Sequence, residues 1–458
     1  MSNLMLPKPF DGTAVYDVSQ SYSSFVPFTV NSVYPIHRWY RFKEGFSRDL
    51  VHLLLGALGP KVRVCLDPFA GSGTTPLTCQ YLGIKCHSVE VNPFLYHVAK
   101  TKLSTRYTVL GFRQAVATIK RSIRKQLNQE FPIPVMSTIT RRNGNEQWLF
   151  SRSTLHAILA LRSCFSMTGS PYSGLFLVLL ASILPDVGNT FKDGKCVRYK
   201  KDWQRRRRST QHVIDRFFAR CDLINSDIDY IEERKETASS NASLCIRASA
   251  IESLSSFRTN SIDAVITSPP YLNSFDYTDV YMPELWALGF VKSYEDVRRL
   301  REKTLRSHVQ VKWQLERHEL GRTIARLVRE VVGDGAEIWN SVIPEMIAGY
   351  FIDLRQILFE LSRIIRPHGN LCVVVGTSSY NGVAIPTDLV LAGIANDLGF
   401  EFEEMRIIRN LKTSTQQTRA NGSLPRLRES VLIFRRSNRL VRAPNHSFTF
   451  PKPFFKNR

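Results

Sequence analysis

Acidic side chains are scarce in this sequence. Only 40 Asp and Glu face 62 Lys and Arg, so the formal charge is +22 at pH 7 and the isoelectric point is about 9.8. Such a surplus is the electrostatic footprint of a protein that holds a polyanion; the alternative is a surface whose excess charge only keeps the chain soluble. Zinc-type ligand spacing is lacking too. The eight cysteines (Cys65, Cys79, Cys86, Cys164, Cys196, Cys221, Cys245, Cys372) form no C-x-x-C pair and no Cys/His set, which argues against a structural metal and for a reduced, cytoplasmic setting. Long apolar runs are missing as well. The most apolar stretch, 174–184, is too short to span a bilayer and reads as a buried helix, so no membrane partner is expected. No basic region, apolar core and small-residue cleavage site occur in order at the N-terminus, which argues against secretion. With 458 residues of ordinary apolar content, the chain can hold a catalytic domain and a substantial second unit.

Two short strings stand out. DPFAGSGTT at 67–75 reads as a tight glycine turn leaving a buried strand (Val62, Val64, Leu66), and TSPPY at 267–271 as a proline-stiffened loop leaving another (Ile262, Ala264, Val265, Ile266). Residues 1–35, rich in Ser, Pro, Tyr and Phe without strand or helix period, read as an arm. Leu50, Leu53, Leu54 and Leu58 then recur at helical spacing before Gly59-Pro60 stops the helix. After the glycine turn come a helix near 76–82 and a strand at 85–91 whose tip carries Glu90 and Asn92. Strand, turn, helix, strand argues for a parallel, doubly wound sheet.

The alternation stops from 101 to 242, a length that could form a domain. That stretch holds a basic amphipathic segment (Lys120, Arg121, Arg124, Lys125), an apolar helix pair over 155–184, and a basic tract (Lys192, Lys195, Arg198, Lys200, Lys201 and Arg205, Arg206, Arg207, Arg208). It reads as an inserted, mainly helical domain. Strand pattern resumes at 244–248, and a second charged helical insertion covers 291–348, with Arg298, Arg299, Arg301, Lys303 and Arg306 near its start. From Gly349 helix and strand alternate again: helix 351–365, a glycine turn at Gly369, strand 371–375, helix 387–398, then strands 401–408 and 430–435 suited to an antiparallel pair. The tail, 437–458, is basic.

DPFAGSGTT, the acidic strand end SVEVNP at 88–93, and TSPPY together resemble the DNA amino-methyltransferases, which methylate an exocyclic nitrogen of cytosine or adenine with S-adenosylmethionine. The serine-initiated SPPY is most similar to the cytosine-N4 members. The resemblance implies an α/β fold, a class I methyltransferase with a doubly wound, seven-stranded, mostly parallel sheet and a large mainly helical insertion. Its sheet-forming parts cover 36–100, 243–290 and 349–436, the first bearing the cofactor and the second the acceptor site; 101–242 is the candidate DNA-recognition region. The resemblance further implies DNA as partner, restriction-modification as setting, and a possible cognate restriction endonuclease.

At the donor site Gly71 and Gly73 permit positive φ and close approach of a ligand to the turn and to the N-terminus of the helix that follows, with Thr74 a further candidate contact. Asp67 can hold the methionine ammonium, Phe69 lends an apolar wall, and Glu90 can accept both ribose hydroxyls, with Asn92 beside it. No lysine follows the glycines in Walker spacing, which disfavours a triphosphate loop. A nicotinamide cofactor fits the turn but gives TSPPY no role. By resemblance, 39–46 would contribute Phe42 and Lys43, and Ser249 or Ala250 would meet the adenine; the alternative for the aromatics is core packing.

At the acceptor site an exocyclic amine is a poor nucleophile because its lone pair is delocalised into the ring. The Ser268 hydroxyl and Pro269 carbonyl, aimed at its two hydrogens, would hold the lone pair toward the donor. Pro269 and Pro270 fix the backbone, and Tyr271 would stack on the base. No Pro-Cys dipeptide of carbon-5 type is present. A duplex target would have to be flipped out, with phosphate contacts from tracts such as 205–208 and 298–303. Asp276, Tyr277 and Asp279 are expected at the rim, or as simple helix capping by Thr278 or Asp279. The rivals are adenine-N6 modification, an RNA amino-methyltransferase and a noncatalytic nucleic-acid-binding subunit.

Overall fold

The computed structural model describes residues 14–22, 26–142, 144–193, 196–206, 208–234, 244–311, 322–333, 340–411 and 427–438. The start of the expected arm, Lys195 and Arg207 of the basic tract, and the tail past 438 lie outside the described residues.

Short aliphatic runs bounded by turns build the strands, as in a sheet covered on both faces. In chain order they are β1 (Ala14–Asp17), β2 (Val64–Asp67), β3 (Lys85–Glu90), β4 (Thr190–Lys192), β5 (Val197–Tyr199), β6 (Leu244–Arg247), β7 (Ile262–Thr267), β8 (Ile365–Gly376), β9 (Ser378–Tyr380), β10 (Val383–Ile385), β11 (Phe400–Leu411) and β12 (Leu427–Arg436). The main sheet is ordered β1-β11-β12-β8-β7-β2-β3-β6, while β4-β5 and β9-β10 form separate hairpins. Within the main sheet β12 alone runs against its neighbours. Seven of these strands are those expected. The eighth, β1, comes from the stretch read as a structureless arm; four half-exposed residues are too few to display a period, and the strand exists by pairing with the edge of β11. The expected turn at Gly369 is instead a bulge inside β8, where the partner of β7 jumps from Ile365 to Asn370 and His368 takes φ 63°.

Because β2, β3, β6 and β7 are parallel, the loops that leave their C-terminal ends gather at one edge of the sheet, where such folds hold ligands. The insertion contributes helices Val109–Gln126, Arg152–Phe165, Tyr172–Val187 and Thr210–Glu233. The apolar run at 174–184 lies inside the third of these, and no helix among the described residues is long and apolar enough to cross a membrane. Phe112, Phe176 and Phe217 of this layer share one core with Leu77, Phe94 and Val98 beside the sheet.

One buried carboxylate fastens the two layers. Asp227, on the last insertion helix, is fully buried and its Oδ2 accepts from Ile36 N (3.0 Å), Arg38 Nε (3.2 Å) and Trp39 Nε1 (2.9 Å). Arg38 also pairs with its second oxygen. The clamp holds Ile36, a β-branched residue at φ 62°, in a conformation that persists only where its surroundings over-determine it. Asp227→Asn is therefore expected to cost on the order of 3 kcal/mol, as breaking a buried ion pair does; urea unfolding of the two proteins measures it, and equal stability would refute the clamp.

Candidate active site

The cleft at the sheet edge is lined from both motifs. Of the donor-side residues read from the sequence, Phe42, Asp67, Phe69, Gly71, Thr74, Glu90 and Asn92 face it, as do Ser268, Pro269, Pro270 and Tyr271 of the acceptor loop and Ser249 and Ala250 after β6. Gly73 does not. It turns at φ 84° with a would-be Cβ 3.1 Å from the Ala99 backbone, so it serves helix packing behind the turn. Gly71 has φ 52°, and a Cβ there would lie 2.6 Å from the Phe42 ring, which closes over the turn.

Glu90, at the tip of β3, accepts from Gly71 N through one oxygen (2.7 Å) and from Asn92 N through the other (2.8 Å). This fixes the carboxylate plane and leaves its outward lone pairs to a ligand. Asn92 spends its side-chain oxygen capping helix Pro93–Lys102 through Phe94 N and Leu95 N, so its reach toward a ligand is limited to the other side-chain atom. Asp67 accepts from Phe69 N (3.0 Å) and from the hydroxyl of Thr267 (2.7 Å), the residue before Ser268. The donor turn and acceptor loop are thus tied by one hydrogen bond.

The acceptor loop is held from behind. Tyr350 donates to the Pro270 carbonyl (2.9 Å), and Ser378 and Tyr380 donate to that of Leu272. Tyr271 donates to Glu429 Oε1 (2.5 Å), which also receives Arg409 (3.0 Å). Burial and the Glu429 charge push the Tyr271 hydroxyl upward, keeping it protonated. Its ring fills space that Gly376 leaves open, where a Cβ would come within 2.8 Å. Ser268, Tyr271 and Tyr277 line both this cleft and a second one that Asn273, Phe275, Arg409 and Glu429 extend. The loop is a partition between the two.

Several site residues escaped the sequence reading. Glu44 lines both clefts; Tyr281 donates to one of its oxygens, and the other is buried with no partner. Burial raises its carboxyl. Tyr281 in turn carries Lys192 Nζ 3.7 Å from its ring centroid, and Lys192 pairs with buried Glu284 (2.7 Å), which Tyr40 also meets (2.8 Å). Lys43, expected at the cofactor, instead donates to the Lys192 carbonyl and lines the second cleft. These contacts join residues far apart in the chain, and no local spacing announces them. From the second insertion Lys303, Thr304, Leu305, Ser307 and His308 also line the first cleft. Asp276 caps helix Tyr277–Val280 through Thr278 N (2.8 Å) and pairs with Arg301 (2.5 Å), which also binds Asp279. Capping therefore falls to Asp276, two positions before Thr278 and three before Asp279.

Much of the second basic tract is neutralised: Arg298 and Arg299 pair with Glu295, Arg298 with Glu302, and Arg301 is spent on Asp276 and Asp279. Below the donor turn, Cys65, Cys79 and Cys86 bring their sulfurs within 4.8 Å of one another, amid the aliphatic core of Leu54, Ile266 and Val374. Thiols serve there as small apolar fillers.

No family model matches the chain. Among curated proteins it is 28% identical over 453 residues to type II methyltransferase M.BsoBI of Geobacillus stearothermophilus, covering 89% of this chain and 87% of that one. This chain is a homologue of type II methyltransferases. To type II methyltransferase M.AvaI of Nostoc sp. strain PCC 7120 it is 27% identical over 448 residues, 90% of this chain and 88% of the relative. To M.MvaI of Kocuria varians it is 21% identical over 354 residues, 73% and 74%. The likeness to the first two extends across both insertions as well as the sheet.

Burial holds the Glu90 carboxyl up at about 7, and that of Asp67 at about 6, against the pull of the groups that donate to them. Unfolded, both titrate near 4. In the interval the folded state binds more protons, so stability rises as pH falls from about 7 toward 4.5 and declines as pH rises through that window. For Glu90 the effect is on the order of 3 kcal/mol. Glu90→Gln, which cannot titrate, is expected to flatten the dependence in unfolding measured at about pH 5 and about pH 7.5; an unchanged pH profile would refute the raised carboxyl.

Proposed function

We propose that this protein is an S-adenosylmethionine-dependent DNA methyltransferase that modifies an exocyclic amino group of a flipped-out base, with cytosine N4 the favoured target. One observation carries the reading: the Ser268-Pro269-Pro270-Tyr271 loop stands between the donor-side cleft and a second cleft that β9, β11, β12 and helix Tyr277–Val280 help to line, and it is tied to the donor turn through Thr267 and Asp67. Homology to type II methyltransferases across both insertions supports it.

The donor-side residues fit the cofactor. Glu90 offers lone pairs to two vicinal hydroxyls, Phe42, Phe46 and Phe69 supply apolar walls, and the unpartnered oxygen of Glu44 suits an ammonium, with Asp67 nearby. S-adenosylmethionine, when bound, supplies the methyl group. On the acceptor side the Ser268 hydroxyl and Pro269 carbonyl accept from the two amine hydrogens, which turns the nitrogen lone pair out of conjugation and toward the donor. Pro270, whose carbonyl is held by Tyr350, keeps the loop rigid. Tyr271, pinned at its hydroxyl by Glu429, presents a fixed ring face for the base. The insertion at 101–242 takes the DNA-recognition role in this reading, which also carries a restriction-modification setting and a cognate endonuclease as partner.

The test is transfer of labelled methyl from S-adenosylmethionine to unmethylated genomic DNA, to total RNA and to no acceptor, followed by mass spectrometry of the nucleosides. N4-methylcytosine in DNA is expected, and Ser268→Ala should lower turnover about 10²-fold or more while donor affinity stays unchanged. N6-methyladenine would replace the base; label confined to RNA, or none, would overturn the DNA assignment.

A further inference from the structure

A second concentration of positive charge lies in the insertion, away from the cleft. A pocket there is lined by Arg141, Arg142, Arg152, Arg206 and Arg208, and no carboxylate lines it. None of the five is ion-paired with a carboxylate among the described residues. Arg208 is half-buried, and its Nη1 is buried with no partner. Asp186, whose charge reaches Arg208, already pairs with Arg216 at 2.6 Å. Lys200 adds to the imbalance; burial and the charges of Arg208 and Arg206 push its ammonium down to about 8, although it donates to the Pro185 and Gly188 carbonyls. Like charges assembled without counterions raise the energy of the folded protein, and an anion in the pocket relieves it.

The walls are rigid. Trp148 and Trp203 meet edge to face with centroids 4.6 Å apart, and Arg141 lies over the Trp148 ring at 5.2 Å. The pocket is also physically joined to the acceptor side. Tyr199, on β5, packs against Trp203 at 4.8 Å, while Asp193, just past the other end of the same hairpin, lines the second cleft beside Ser268 and Tyr271. Three residues of strand span about 10 Å. That is the rise of about three base pairs of B-DNA at 3.4 Å each.

We infer that this arginine pocket holds a backbone phosphate of the DNA within a few nucleotides of the base being modified. The inference rests on the reading of the protein as a DNA methyltransferase. Phosphate contacts position a duplex without reading its sequence, so the pocket contributes affinity and register, and the bases are read elsewhere.

Arg152 and Arg206 are exposed, so Arg152→Gln with Arg206→Gln leaves the core untouched. Binding of duplex DNA is measured across a salt series for the wild type, this double variant, the corresponding double Lys variant and Arg208→Gln. Each lost phosphate contact reduces the slope of log K against log salt by about 0.9. The double Gln variant is expected to bind at least tenfold more weakly at low salt with a slope shallower by one to two contacts, equally on duplexes the protein does and does not methylate; the Lys variant should recover most of the slope. S-adenosylmethionine affinity, measured in parallel, should not change, which reports an intact fold. A wild type that methylates DNA, with Gln variants whose slope and affinity match it, would overturn the pocket assignment alone. Loss confined to methylatable duplexes would also overturn it, in favour of base reading. A wild type that neither binds nor methylates DNA would overturn the functional reading itself.

Discussion

The hydrogen bond from the Thr267 hydroxyl to the Asp67 carboxylate sets the geometry on which the rest of the site depends. β2 and β7 are adjacent parallel strands, with Cys65 opposite Ala264 and Leu66 opposite Val265, so their ends emerge side by side. A sheet ladder alone fixes their spacing but leaves each loop free to swing. Tying the carboxylate that ends one strand to the hydroxyl that ends the other removes that freedom at the point where both segments leave the sheet. Asp67 is almost fully buried, and such a carboxylate keeps its charge only by accepting hydrogen bonds. The same burial that makes the group costly makes the tie short and specific.

Around this tie, two long-range networks build the walls. Glu44 is held by Tyr281, which stacks under Lys192, which pairs with Glu284. Asp227 clamps the segment around Trp39 that leads into Phe42 and Glu44. Both networks reach into the insertion, so those helices support the cleft as well as lying beside it. Small residues at Gly71 and Gly376 admit the Phe42 and Tyr271 rings, each of which a single Cβ would displace.

What the sequence disclosed was what is local. Glycine turn, buried strand and acidic strand tip lie within one stretch, and the structure gathers Asp67, Phe69, Gly71, Glu90 and the SPPY loop in one cleft. Seven strands of the sheet were legible because each carries its own apolar run. Gly73 looked like a ligand contact because it shares a motif with Gly71; only the packing of Ala99 against it reveals the other use. Glu44 and Lys192 were illegible for the opposite reason, since their significance lies wholly in partners far away in the chain, such as Tyr281 for Glu44 and Glu284 for Lys192. The arginine runs looked alike in one dimension. Acids at Glu295, Glu302, Asp276 and Asp279 quench the second run, whereas Arg206 and Arg208 meet Arg141 and Arg152 across a pocket with no acid in it.

The pairing of β1 with β11 joins Ala14 to Glu404 and Asp17 to Ile407. Almost the whole described chain lies between these partners. On a ribosome that emits residues in order and allows domains to fold as they appear, β1 leaves the tunnel first yet has no ladder to enter until β11 has followed it. The edge whose strand was made first therefore closes only near the end of synthesis. Up to that moment β11 presents an open row of backbone donors and acceptors, the kind of edge that invites pairing with another chain, and completing the sheet removes it.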